Sequence, residues 1–245
     1  MSNGKSYVHA GRRRAIVRLN ALGIGAVLGT GFGPGKAAAQ SPGAPACRLI
    51  PTATAGPFPL LAFLSTGAAL RRDIRESRPG VPLTLNIQLQ NMDAGCAPVR
   101  NAVVYVWHCD RDGGYSGYNA GQNGDHRGAT FLRGMQISDE QGRVSFSTIF
   151  PGWYPGRITH VHFQVYLRDV KGGRAAVTSQ LAFPEEVVRS VYATAAYPRG
   201  QNTTVRNIAE DGLFSEDGRY QTAAVTGSVA AGLVASLNVG IGTGG

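Results

Sequence analysis

Residues 149–166 read IFPGWYPGRITHVHFQVY, and the reading of the rest of the chain turns on them. His160 and His162 alternate with Val161, Phe163 and Val165, the period expected of a β-strand. Residues two apart on a strand share a face, so the two imidazoles project side by side. That is a two-point grip for a metal ion. On its own the pattern is read as readily as two polar residues on a solvated face. Just ahead of it, Pro151-Gly152 and Pro155-Gly156 punctuate a turn that carries Trp153, Tyr154 and Arg157.

Outward from this stretch the chain reads as short strands and turns. Residues 83–89 alternate Leu and Ile with Thr, Asn and Gln, a half-buried strand, and residues 102–108 (AVVYVWH) are β-branched and aromatic. Further strands are expected at 143–150, 159–167 and 176–183, with closing strands within 220–239. Residues 52–61 read as extended, 70–80 as a loop, 185–197 as a short helix opened by Pro184, and 201–217 as a polar loop. The Gly/Asp/Asn-rich segment 111–128 is a long loop of the kind that carries function. Only 16% of residues are charged and 34 are Gly, which also favours an all-β chain rich in turns. The fold class expected is an all-β antiparallel β-sandwich with long active-site loops.

The formal charge of +9 is concentrated at one end. Residues 1–39 hold Lys5, Arg12, Arg13, Arg14, Arg18 and Lys36 with no acid, which leaves 18 bases against 15 acids beyond them. The excess therefore gives no support for a nucleic-acid partner. Arg12–Arg14, a Gly-diluted apolar run at 21–32 and Ala37-Ala38-Ala39 read as a twin-arginine-like export signal over 1–39, ahead of one domain at 40–245. A disordered basic tail is the alternative. Export to the periplasm or outside the cell is expected, with no membrane attachment once the signal is removed. Cys47, Cys96 and Cys109 allow one disulfide with three possible pairings, and none has zinc-site spacing.

Tyr115 closes VWHCDRDGGY, Tyr154 lies in the PGWY turn, Arg157 precedes His160 by three residues, and Gln180 sits in the strand TSQLAF. Together VWHCDRDGGYSGY, FLRG, SDEQGRVSFSTIFPGWYPGR and HVHFQV resemble the intradiol ring-cleavage dioxygenases, of the protocatechuate 3,4-dioxygenase and catechol 1,2-dioxygenase type. The resemblance extends over roughly residues 47–217. It implies a β-sandwich and a non-haem Fe(III) held by Tyr115, Tyr154, His160 and His162. It also implies that Tyr154 leaves the metal when a catechol binds, and that Arg157 and Gln180 stabilise and position the ring during attack by O2. The implied donor set is chemically sound, because ferric iron is hard and favours phenolate oxygen. A bound cation draws the proton from a tyrosine well below its usual pKa near ~10.

The resemblance leaves the substrate open, and Phe58 in TAGPF stands where many relatives have the Tyr of TEGPY. Oligomerisation is also left open, since relatives range from single subunits to large assemblies. His108 and Asp110 are candidates for orienting the Tyr115 loop, Trp153 and Tyr118 for lining a pocket, and His126 is expected to be solvated. Two other functions compete: a non-catalytic sandwich module that binds an aromatic or glycan ligand, and a copper site built from His108, His160 and His162.

Overall fold

A computed structural model describes residues 47–119, 124–167, 170, 173–214 and 218–243. The expected export signal at 1–39 lies outside these residues. The described chain belongs to one compact unit, residues 43–245.

Two sheets face each other. In the first, β1 (Pro82–Asn91) is the centre. β2 (Ala97–Pro98) and β5 (Arg143–Ile149) flank one edge of β1, β9 (Gly232–Ile241) pairs with the other, and β8 (Ala224–Ser228) pairs with β9. The second sheet runs β4 (Arg133–Ile137), β3 (Val103–Trp107), β6 (His160–Tyr166), β7 (Val177–Ala182), antiparallel throughout. The antiparallel expectation holds for the named pairs except β1–β9, which are parallel. A parallel pair needs a long crossover, and here the crossover includes the entire second sheet.

Strand alternation builds the core. Leu83, Leu85, Ile87 and Leu89 of β1 meet Val104 and Val106 of β3 and Val161, Phe163 and Val165 of β6 between the sheets. The other face of the second sheet is not left to water. Tyr105 and Trp107 pack there with Tyr115, Phe63 and Leu64, the last two from α1 (Leu61–Leu64). β6 is therefore buried along its whole length, on both faces, which removes the solvated-face reading of His160 and His162.

The helix expected at 185–197 is α2 (Glu185–Tyr192), with Pro184 as its N-cap. α1 begins at Leu61, the last residue of the stretch expected to be extended, and continues into residues for which no element is expected. β4 is not among the expected strands: Gly134 is a poor strand former, and the strand exists because residues 133–137 all have partners in β3. Among the described residues no helix is long and apolar enough to cross a membrane.

Of the three cysteine pairings, the structure forms Cys47–Cys96 and leaves Cys109 as a buried thiol. The bond ties the start of the described chain to the turn after β1, across a sequence separation of 49. Closing a loop of that length removes unfolded-state entropy worth about 4 kcal/mol. Reduction, or Cys96→Ser, should lower the unfolding free energy in urea by up to that amount. An unchanged denaturation midpoint would show that the bond contributes nothing.

Candidate active site with a metal-binding geometry

The site lies on the outer face of the second sheet, where one row of paired residues crosses all four strands. Arg133 of β4 is opposite Trp107 of β3, Trp107 opposite His162 of β6, and His162 opposite Gln180 of β7. The Trp107 and His162 rings stack, with centroids 4.9 Å apart and planes within 5°. His160 lies two residues before His162 on the same face, and their Nε2 atoms are 3.0 Å apart. Nδ1 of His160 is 2.6 Å from the Ile158 carbonyl. A carbonyl only accepts, so Nδ1 carries the hydrogen and Nε2 presents a lone pair.

Two loops deliver the phenols. Asp110 shapes the first: its Oδ1 accepts from the amides of Asp112 (3.0 Å) and Gly114 (2.9 Å), and its own amide donates to the Gly114 carbonyl at 2.8 Å. Gly113 completes the turn at φ +88°, where an added Cβ would stand 2.5 Å from the Trp153 carbonyl oxygen; only Gly fits. Tyr115 then points inward, its hydroxyl 3.5 Å from His160 Nε2. The PGWY turn brings the Tyr154 hydroxyl to 3.1 Å from the same nitrogen. Tyr115 is fully buried, whereas Tyr154 is half-buried. The four sequence-expected donors thus converge on one small volume.

Arg157 and Gln180 meet there too. Arg157 Nη1 is 3.5 Å from His160 Nε2, and its Nη2 donates to Gln180 Oε1. Gln180 Nε2 donates to the Thr54 carbonyl at 2.8 Å. Asp211, in the loop expected only to be polar, holds Arg157 Nε with both oxygens at 2.9 and 3.0 Å and is 1% exposed. No local sequence signal marks it, because its partner is 54 residues away. The fully buried Arg133 is a second residue not singled out, although it lies within FLRG. It donates to Ser116 Oγ, the Ser116 and Phe58 carbonyls and the Tyr105 hydroxyl at 2.7–3.1 Å, which clamps the Tyr115 loop to the 58–60 segment.

Electrostatics fit the site to a cation. Burial, reinforced by Arg157, pushes His160 down to about 3, and burial and His160 hold His162 well below its usual value. Both imidazoles are therefore neutral and can donate lone pairs. Burial lifts Tyr154 to about 12 and Tyr115 well above its usual value, so the phenols stay protonated unless a positive charge stands beside them. Ferric iron supplies such a charge and prefers oxygen donors, so these residues fit it. Among the described residues no three of His, Cys, Asp and Glu cluster to hold a metal, and the phenols complete the donor set.

The copper alternative does not survive. His108 bonds the Cys109 carbonyl at 2.8 Å and Thr148 Oγ1 of β5 at 2.7 Å, so its ring is committed elsewhere. Trp153 packs in the core with its Nε1 on the Gly200 carbonyl. Tyr118 packs edge-on to Phe58 at 5.3 Å. His126 is not freely solvated: it lies 3.8 Å from Asp110 and edge-on to Phe131.

A family model described as Dioxygenase matches residues 61–199, more than half of the chain. Over 101 residues the chain is 35% identical to the protocatechuate 3,4-dioxygenase beta chain of Burkholderia cepacia, covering 38% of this chain and 41% of that one. Over 105 residues it is 31% identical to the chlorocatechol 1,2-dioxygenase of Pseudomonas sp. strain P51, covering 36% and 38%. The chain belongs to the intradiol ring-cleaving dioxygenase family. Its fold matches the solved intradiol ring-cleavage dioxygenase of Tetranychus urticae with a TM-score of 0.68 and 28% identity, over 80% of this chain and 95% of that one. The matched stretch spans about two fifths of the length of the two curated relatives. Intradiol dioxygenases in general depend on Fe(III).

His108 joins the end of β3 to β5 while fully buried, and burial holds it down to about 4. In the unfolded chain a histidine titrates near ~6.5. The stabilisation from keeping it neutral is therefore complete above that pH and is lost as pH falls toward 4. Between those limits His108→Gln should flatten the pH dependence of unfolding by about 1.4 kcal/mol per pH unit, one proton's worth. Parallel stability profiles for the two proteins would contradict this.

Proposed function

We propose that the chain is a non-haem Fe(III) dioxygenase that opens a catechol-type ring with O2 between its two hydroxyl-bearing carbons. The observation that carries this reading is the convergence of the Tyr115 and Tyr154 hydroxyls and His162 Nε2 to within 3.0–3.5 Å of His160 Nε2. Bound ferric iron would supply a hard Lewis acid for the two catechol oxygens and make the ring reactive toward O2.

The chain's own residues take distinct roles. His160 and His162 would hold the iron as neutral ligands, with the His160 tautomer fixed by the Ile158 carbonyl. Tyr115, fully buried and packed against Phe58, would be the phenolate that stays on the metal. Tyr154, half-buried on a turn, would be the more weakly held phenolate and the base placed to accept a catechol proton. Arg157 Nη1 faces the reacting centre and is fixed by Asp211, so it stabilises negative charge as that charge grows on the ring without having to reorganise. Gln180, held between Arg157 and the Thr54 carbonyl, sets the position of the guanidinium.

We also propose that the protein works outside the cytoplasm. The Cys47–Cys96 disulfide supports this, because such bonds persist in oxidising compartments, and so does the basic leader at 1–39.

After reconstitution with iron, the protein should hold about one iron per chain, show a tyrosinate-to-iron charge-transfer band in the visible, and consume O2 with a catechol. Tyr115→Phe and His160→Ala should each abolish the colour and oxygen uptake while leaving far-UV circular dichroism unchanged. A colourless protein that retains no iron would overturn the assignment. Catechol binding without oxygen uptake would favour the non-catalytic module instead.

A further inference from the structure

We infer that the catechol taken by this site carries no anionic ring substituent, so that the substrate is an unsubstituted, alkyl- or hydroxy-catechol and not a carboxylated one. The inference rests on the dioxygenase reading above and narrows its substrate.

A carboxylate on the ring would need a cation or several free donors beside it. Three arginines of the described site, Arg157, Arg133 and Arg199, are held by protein partners. Arg157 has its Nε on both Asp211 oxygens and its Nη2 on Gln180. Asp211 is itself fixed, accepting from the amides of Ile158 at 2.9 Å and Leu213 at 3.0 Å, so it does not release the arginine. The ion pair is neutral as a unit. The remaining nitrogen, Nη1, faces His160 Nε2, at the diol end of any chelated ring.

Arg133 is no better placed. It lies 5.9 Å from the Tyr115 ring centroid, is fully buried, and spends its donors on four protein oxygens. Arg199 sits over the Trp153 ring and donates to the carbonyls of Trp153 and Asp112.

The wall beside the phenols is apolar. Phe58 stacks on Tyr115, with centroids 4.6 Å apart, and Tyr118 stands edge-on behind it with its hydroxyl on the Pro59 carbonyl. Next to them the chain presents bare backbone: at Gly56, φ +66°, an added Cβ would lie 3.3 Å from His162 Cε1. A methyl or hydrogen on the catechol ring suits such a wall. A carboxylate would be stripped of water with nothing to replace it.

The test uses the iron-reconstituted full-length protein with catechol, 4-methylcatechol and 3,4-dihydroxybenzoate at one pH. The kcat/KM from oxygen uptake should be ~100-fold or more higher for the two uncharged compounds, the discrimination expected when a charge is buried unpaired. Equal or better turnover of the carboxylated compound overturns the inference. If none of the three is turned over, the dioxygenase reading fails separately, and the affinities of the same three compounds by titration calorimetry still decide the charge preference. Phe58→Lys, which adds a cation to the apolar wall, should raise relative kcat/KM for 3,4-dihydroxybenzoate at least tenfold, mainly through KM; an unchanged ratio would overturn the inference, because it rests on that wall.

Discussion

The two-residue period of β6, with both of its faces buried, is the constraint on which the site depends. Odd-numbered Val161, Phe163 and Val165 lock the strand into the inter-sheet core. That leaves His160 and His162 no choice but the opposite face, where they are 2% and 1% exposed. A slip of one residue would reverse both sets at once, so the packing that stabilises the fold also fixes the direction of the imidazoles. Trp107, stacked on His162, extends the constraint to the neighbouring strand.

Around that face, charge is handled by pairing or by exclusion. The imidazoles are neutral and the phenols are protonated until a cation arrives. The Arg157–Asp211 pair brings a guanidinium to the centre at no net charge. Such a buried pair costs desolvation, and its retention is better explained by positioning than by stability. Arg133 is different, a buried guanidinium surrounded by neutral oxygens, and it ties β4 to the Tyr115 loop and to the Phe58 segment. The result is a preformed cluster whose missing charge is positive.

Much of this was legible in the sequence where the signal is local. The β1 alternation, the β-branched run of β3 and the His-x-His of β6 each carry their own period, and the two tyrosines follow from motifs in Gly-rich turns. What could not be read depends on partners far away in the chain. β4 forms although Gly134 disfavours it, because β3 supplies a ladder. The parallel β1–β9 pair brings together segments with no sequence link. Asp211 looked like one acid among several in a polar loop until the fold carried it to Arg157. The cysteines left three pairings open, and only the fold brings Cys47 to Cys96.

The central claim is that four heteroatoms from three segments bind one trivalent iron. Anomalous diffraction at the iron edge from crystals of the reconstituted protein tests it most directly. The account predicts a single peak within bonding distance of the Tyr115 and Tyr154 oxygens and of His160 and His162 Nε2. A peak elsewhere, or one approached by the imidazoles with both phenols turned away, would contradict it.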